Sequence, residues 1–214
     1  MIAVCWSMNC IVELRGWREF KQLFAKSMTL LFQYFKKINL LSEEAEKAIE
    51  EISSIVNIKK NNDLQSIGHT CKTIYFINKG IARIYYYKEE NDITECFAFE
   101  NNIIARVESL FSGKPSKKGI QILEDAELVG INSGQLFKLY DSFPEIERLF
   151  RKIFETAYVD TVHRIEGIQF HTAEERYKAL LSEAPNILQR VPLKYVASYL
   201  GITQVSLSRI RGMK

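Results

Sequence analysis

Two hydrophobic periodicities alternate along this chain of 214 residues, and each change of period marks a change of predicted element. The segment SEEAEKAIEEISSIV opens with Ser42, whose side chain can cap a helix, and acidic residues suited to a first helical turn follow it. Apolar residues then recur at steps of three and four as far as Ile55. The pattern predicts an amphipathic helix over residues 42–55.

Between about Ile58 and Ile131 the pattern changes to short runs rich in β-branched and aromatic residues. These runs are TIYFI, IARIYYY, ITECFAF, IQIL and ELVGI. Turn-forming segments such as Asn78-Lys79-Gly80 separate them. Several short strands at close spacing predict a sandwich or barrel, whose interior is filled by alternating side chains.

A second helical pattern begins at Pro144 and reaches Phe170 without a further proline. Its apolar positions have the three-and-four spacing of a two-stranded coiled coil. They are Ile146, Leu149, Ile153, Ala157, Ile165 and Ile168, and Thr161 lies at the same spacing. A long helix with one narrow apolar stripe needs a partner, so residues 144–170 are predicted to form a dimer. The alternative is that the stripe packs on the β-domain of its own chain.

The rest of the chain has the spacing of a helix-turn-helix. Thr172-Ala173-Glu174-Glu175 is a capping box that starts a separate helix, which ends at Ala184-Pro185-Asn186. Further on, Ala197 permits close helix approach and Gly201 suits the left-handed backbone of a tight turn. Pro192 fits a first helical position and Thr203 can cap the second helix. The apolar positions that pack the two short helices are Val196, Leu200, Ile202, Leu207 and Ile210.

The charge distribution supports a nucleic-acid partner. The formal net charge is +3, but it is unevenly distributed. No acidic residue follows Glu183, so this end of the chain carries +5, whereas the residues up to Glu183 carry a net −2. The basic residues of this end are Arg190, Lys194, Arg209, Arg211 and Lys214. A basic end on a near-neutral body is expected of a protein that neutralises DNA phosphates. The alternative is a solvated basic tail.

The second helix of the pattern also predicts which residues contact DNA. Its outward side chains are of the types that read bases and contact phosphates. The candidates are Thr203, Gln204, Val205, Ser206, Ser208, Arg209 and Arg211, with Lys194 as a further phosphate contact. Arg209 is the main candidate for base readout, because its planar guanidinium can engage guanine O6 and N7 together.

Composition argues against several other classes of protein. With 47% hydrophobic and 26% charged residues, the chain is an ordinary globular sequence. The four cysteines, Cys5, Cys10, Cys71 and Cys96, include no CxxC pair and suggest neither a zinc site nor disulfides. No apolar run approaches the roughly 18 residues of a membrane span, and the N-terminus lacks a signal-like block. No catalytic motif of the common enzyme classes occurs, so a cytoplasmic, non-enzymatic protein is expected.

The order of parts resembles the Crp/Fnr superfamily of bacterial transcription regulators. The resemblance covers about residues 28–214 and lies in IYFINKGIARIYYYKEENDITECFAFE, SGKPSKKGIQILEDAEL, ERYKALL and LQRVPLKYVASYLGIT with SLSRIR. It implies an α+β chain with a cyclic-nucleotide-binding-like β-roll, of the jelly-roll type, over residues 28–143, a dimerisation helix over 144–170 and a helix-turn-helix domain over 171–214. Residues 1–27 are left without a role. It further implies a homodimer on palindromic double-stranded DNA and contact with RNA polymerase.

The sequence departs from this resemblance where nucleotide-binding members hold their ligand. Their Gly-Glu pair stands here as Ala105-Arg106, and the region of their Arg-Ser or Arg-Thr pair reads Ser116-Lys117-Lys118. An arginine cannot accept a hydrogen bond from a ribose hydroxyl, so cyclic AMP binding is not expected. These five residues remain candidates for an effector pocket, and the lysines either hold an anionic ligand or belong to a solvated loop. The sequence assigns no cofactor.

Two other sensor chemistries need ligands that the sequence offers only in part. An iron-sulfur cluster lacks ligands near Cys5 and Cys10 unless Cys71 and Cys96 both join them. Haem would need a histidine, and His69, His163 and His171 are the candidates, although a lone histidine is usually surface. The competing function is a sensory module that acts through protein partners without binding DNA.

Overall fold

The computed structural model describes residues 8–212, with side chains from residue 21 onward. In chain order the helices are α1 (Met8–Lys36), α2 (Glu43–Glu51), α3 (Val107–Ser112), α4 (Ser133–Leu139), α5 (Pro144–Phe170), α6 (Ala173–Glu183), α7 (Ile187–Arg190), α8 (Leu193–Leu200) and α9 (Gln204–Gly212). The strands are β1 (Ser53–Ile58), β2 (Asp63–Gln65), β3 (Thr73–Lys79), β4 (Ala82–Lys88), β5 (Asn91–Ala98), β6 (Ile103–Ile104), β7 (Gly119–Ile122) and β8 (Ala126–Asn132).

The strands of residues 53–132 form two antiparallel sheets, as the short β-rich runs predict. One sheet has the order β1-β8-β3-β6 and the other β2-β7-β4-β5. Apolar residues from both sheets, such as Ile84, Ile120 and Leu128, share one buried cluster. The α+β architecture with a β-roll is therefore confirmed, and β5 lies at an edge of its sheet.

The helix predicted from Ser42 to Ile55 is shorter than its pattern suggests. Ser42 caps α2 by accepting a hydrogen bond from the Ala45 backbone N–H at 3.2 Å, as predicted. The helix ends at Glu51, however, and Ile55 lies in β1, paired with Val129 of β8. The prediction was wrong here because a three-residue step from Ile52 to Ile55 fits a helix as well as it fits a turn into a strand.

Helices α1 and α2, the first sheet and the start of α5 enclose the largest apolar cluster. Phe35 of α1, Phe76 of β3 and Phe150 of α5 are among its fully buried members. Met28, where the domain boundary is drawn from the sequence, lies inside α1 and is itself buried in this cluster. The part of α1 from Met28 to Phe35 is thus packed against the β-roll.

Helix α5 has the bounds that its pattern predicts, but its apolar stripe has two environments. Ile146, Leu149 and Ile153 are buried against the β-roll of the same chain. Ile165 and Ile168 are 49% and 54% exposed. The alternative of packing on the β-domain therefore holds for the first half of the stripe only. No described helix is both long and apolar enough to cross a membrane.

Candidate nucleic-acid interface

The turn between α8 and α9 has the geometry that its sequence predicts. Gly201 adopts φ +69°, in the left-handed region that favours glycine. Its N–H donates to the Ser198 carbonyl at 3.0 Å, and the Ile202 N–H donates to the Ala197 carbonyl at 3.0 Å. Ala197 and Leu207 are both buried, so the two helices pack across this turn through small and apolar side chains.

Thr203 caps α9, as predicted. Its hydroxyl oxygen accepts a hydrogen bond from the Ser206 backbone N–H at 3.1 Å. The Ser206 hydroxyl lies 3.0 Å from the same oxygen and is only partly exposed. Both hydroxyls therefore have a local structural partner at the start of the helix.

The outward side of α9 carries the other candidate contacts. Leu207 faces inward at 1% exposure, whereas Val205 is 62% exposed. Gln204, Ser208, Arg209 and Arg211 are exposed as well. Lys194 is exposed on α8, with its ammonium nitrogen 4.7 Å from the centre of the Tyr195 ring. Two arginines, a lysine and short polar side chains thus occupy one small helical unit.

Arg190 does not belong to this basic surface, although its place in the sequence suggested it. Its guanidinium nitrogen Nη2 lies 2.5 Å from Glu100 Oε1 and 2.6 Å from Glu124 Oε2. The same contacts raise the pKa of Arg190 and lower the pKa of Glu100. The charge of Arg190 is therefore neutralised within the protein, and the residue fastens α7 to the β-roll.

Helix α8 also packs directly on β5. The Ser198 hydroxyl accepts from the Thr94 N–H at 2.8 Å and donates to the Asp92 carbonyl at 3.1 Å. The Tyr199 ring lies 5.2 Å from the Phe97 ring, centre to centre. Because β5 is an edge strand, α8 gives its free backbone groups a partner. Helix α8 is thereby held at a fixed place on the β-roll.

A buried arginine strengthens this contact, and sequence analysis missed it. Arg83 of β4 is 1% exposed and donates to both carboxylate oxygens of Asp92 at 2.6 Å. Its guanidinium also lies 3.6 Å from the centre of the Tyr195 ring of α8. A planar cation stacks well on an aromatic face, so Arg83 joins the β-roll to the helix-turn-helix.

The five effector-pocket candidates do not all come together. Arg106, Ser116 and Lys118 converge around the carboxylate of Glu95 on β5. Ala105 instead belongs to the large apolar cluster beneath α1, and Lys117 is exposed. Nothing in the local sequence singles out Glu95, because it is brought to Arg106 and Lys118 by the strand pairing.

Of the candidate metal and haem ligands, Cys71, Cys96 and the three histidines have described side chains. Cys5 lies outside the described residues. Burial raises the pKa of the Cys96 thiol to about 11, which leaves the sulfur neutral at pH 7. His69, His163 and His171 are all exposed. Among the described residues, no three histidine, cysteine, aspartate or glutamate side chains are grouped so that they could hold a metal ion.

No protein-family model and no curated protein sequence matches the chain. Solved structures do. FixK2 from Bradyrhizobium japonicum superimposes with a TM-score of 0.67 at 15% identity, covering 75% of this chain and 83% of FixK2.

A protein from Eubacterium rectale that is assigned to the Crp/Fnr transcriptional regulators gives 0.64 at 17% identity, covering 79% and 82% of the two chains. The c-di-GMP-responsive global regulator CLP from Xanthomonas campestris gives 0.62 at 17% identity, with 78% and 88% covered. The β-roll, the long α5 and the terminal helix-turn-helix together give this chain the Crp/Fnr fold.

Proposed function

We propose that this protein is a DNA-binding transcription regulator of the Crp/Fnr type, which binds a palindromic operator as a homodimer in the cytoplasm. The observation that carries the proposal is the outward side of α9, where Gln204, Ser208, Arg209 and Arg211 are exposed while Leu207 anchors the opposite side. Hydrogen-bonding and basic side chains on a short, well-anchored helix suit the major groove. Contact with RNA polymerase is proposed from the resemblance alone.

The second half of α5 supports the proposed homodimer. Phe154, Tyr158, Thr161, Ile165 and Ile168 follow one another at steps of four and three along this half. By helix geometry this seam is rotated by roughly a quarter turn from the side that packs on the β-roll. Tyr158, Ile165 and Ile168 are exposed in the single chain. An exposed apolar seam with coiled-coil spacing is best explained by a second copy of α5.

A groove beside this seam extends the surface available to a second copy. It has a volume of about 420 Å³. Phe111 of α3 and Tyr140 line it together with Phe154 and Tyr158 of α5. The Phe111 and Phe154 rings meet edge to face, with their centres 5.0 Å apart. Phe111 is itself 58% exposed, so the proposed interface includes α3 as well as α5.

Arg164 links α5, the proposed dimer helix, to α8 of the helix-turn-helix. Its guanidinium lies 3.9 Å from the centre of the Tyr199 ring of α8 and donates to the Tyr199 carbonyl. A change in how the two α5 helices pair would therefore alter the position of α8 through this contact. We propose that dimerisation sets the separation of the two α9 helices.

The proposal is tested by selecting bound duplexes from a random pool with purified protein. Enrichment of a palindrome is expected. Arg209→Ala in the same selection should weaken one defined base preference in each half-site. Recovery of no sequence above background, from protein shown to be folded, would favour the sensory module that acts through protein partners.

A further inference from the structure

Arg106 is a buried cation with a protein anion beside it. It stands at the start of α3, and its residue is 5% exposed. Its Nη1 lies 3.7 Å from Glu95 Oε1, and its Nε donates to the Ser116 hydroxyl at 3.4 Å. Ser116 is itself buried, and its hydroxyl also accepts from the Lys118 backbone N–H at 3.1 Å.

A second cation reaches the same carboxylate. The Lys118 ammonium forms an ion pair with Glu95 Oε2, and it lies 5.5 Å from the centre of the Tyr86 ring. Arg106 also has a weaker contact to Glu108, at 4.0 Å, and the Glu108 side chain is 67% exposed. Two cations and two carboxylates therefore balance locally, with Glu95 between the cations.

We propose that the Glu95 carboxylate occupies this site in the place of a bound anion, so that the β-roll needs no anionic effector. An arginine, a lysine and a serine converge here on a carboxylate from β5. These are the residue types that hold a phosphate in other proteins. An incoming anion would have to displace Glu95, which would then be partly buried, unpaired and repelled by the new negative charge.

This inference rests on the proposed function only where it concerns DNA. At the isolated site, wild-type protein should not bind a small anion, whereas protein without the Glu95 charge should. In the proposed regulator, the dimer should bind its operator without a small molecule.

The test compares wild type, Glu95→Gln and the control Glu108→Gln, which removes the exposed partner. Thermal unfolding is followed with inorganic phosphate up to about 10 mM, against sodium chloride of equal ionic strength. We expect the Tm of Glu95→Gln to start below wild type and to rise with phosphate in a saturable way. Wild type and Glu108→Gln should not respond to phosphate beyond the chloride control.

Equilibrium dialysis of wild-type protein with labelled phosphate and with cyclic AMP gives a readout that does not depend on a folded variant. Saturable binding of either to wild type would overturn the proposal, as would a folded Glu95→Gln variant whose Tm ignores phosphate. If Glu95→Gln does not fold, the dialysis result alone decides.

The DNA arm uses dialysed wild-type protein and the selected duplex. We expect binding without additives, and less than about a twofold change in Kd on adding phosphate or cyclic AMP at constant ionic strength. A larger gain in affinity would overturn effector independence. Failure to bind any duplex would instead contradict the proposed function, and the unfolding and dialysis measurements would still decide the role of Glu95.

Discussion

At the scale of single residues, Arg209 is expected to read a base. It lies exposed on α9, two positions after the buried Leu207. Arg209→Ala should cost about 1 to 3 kcal/mol on the selected site and flatten discrimination at one base pair in each half-site. Titration of cognate and scrambled duplexes measures both effects.

Lys194→Ala is the matched comparison, because a phosphate contact carries no sequence information. It should weaken all duplexes similarly and lower the slope of log K against log salt by about one per subunit. Equal losses on cognate and scrambled duplexes after Arg209→Ala would assign Arg209 to the phosphates as well.

What could be predicted at this scale depended on sequence separation. Gly201 and Thr203 were assigned correctly because their roles are set by neighbours within four residues, through backbone dihedrals and capping. Arg190 was misassigned because its partners, Glu100 and Glu124, are 90 and 66 residues away. The pairing of Glu95 with Arg106 likewise requires the fold.

At the scale of elements, the two halves of α5 should respond differently to charge. Ile165→Glu with Ile168→Glu places carboxylates in the exposed seam, so the protein should stay folded but become a monomer that loses tight operator binding. Ile153→Glu would bury a charge in the β-roll and should unfold the domain instead. His163→Glu, exposed on the opposite side of α5, is the control.

Sedimentation velocity and circular dichroism at micromolar concentration separate these outcomes. A wild-type monomer that still bound a palindrome tightly would contradict the dimer. The bounds of α5 and α6 were predicted correctly because Pro144 and the Thr172 capping box mark helix starts chemically. The end of α2 was missed, since no such signal separates it from β1.

The contact of α7 with the β-roll predicts a dependence of stability on pH. The hydrogen bond from Arg190 lowers the pKa of Glu100 in the folded protein. A carboxyl with a depressed folded pKa contributes stability above its unfolded pKa of about 4.3, and this contribution is lost as pH falls through the folded value. Arg190→Gln should therefore lower Tm at pH 7, and its curve should approach that of wild type in acid.

Lys59→Gln is the control for this experiment. It breaks the pair of Lys59 with Asp125, whose atoms are 2.7 Å apart, but both side chains are largely exposed. Such pairs contribute little, so the pH profile should stay close to that of wild type. Parallel Tm curves for Arg190→Gln and wild type across the whole pH range would contradict a stabilising role for the Arg190 contact.

At the scale of the whole molecule, the docking of α8 on β5 fixes the position of the helix-turn-helix on the β-roll. Periodicity predicted the β-roll strands, α5 and the helix-turn-helix. It predicted neither α1 nor this contact, which joins Arg83 to Tyr195 across more than half of the chain. With α8 fixed by Ser198 and Arg83, we expect the two α9 helices of the proposed dimer to have a set separation rather than an adjustable one.

The half-sites of the operator should therefore lie about one helical turn apart, roughly 10 base pairs centre to centre or a small multiple. Inserting about 5 base pairs between them would turn one half-site to the opposite face of the duplex, out of reach of a fixed second α9. Affinity should then fall to that of a single half-site, measured by gel shift on duplexes with graded spacers. If binding did not depend on the spacer, the two helix-turn-helix units would bind independently of each other. The proposal of a symmetric dimer would then be wrong.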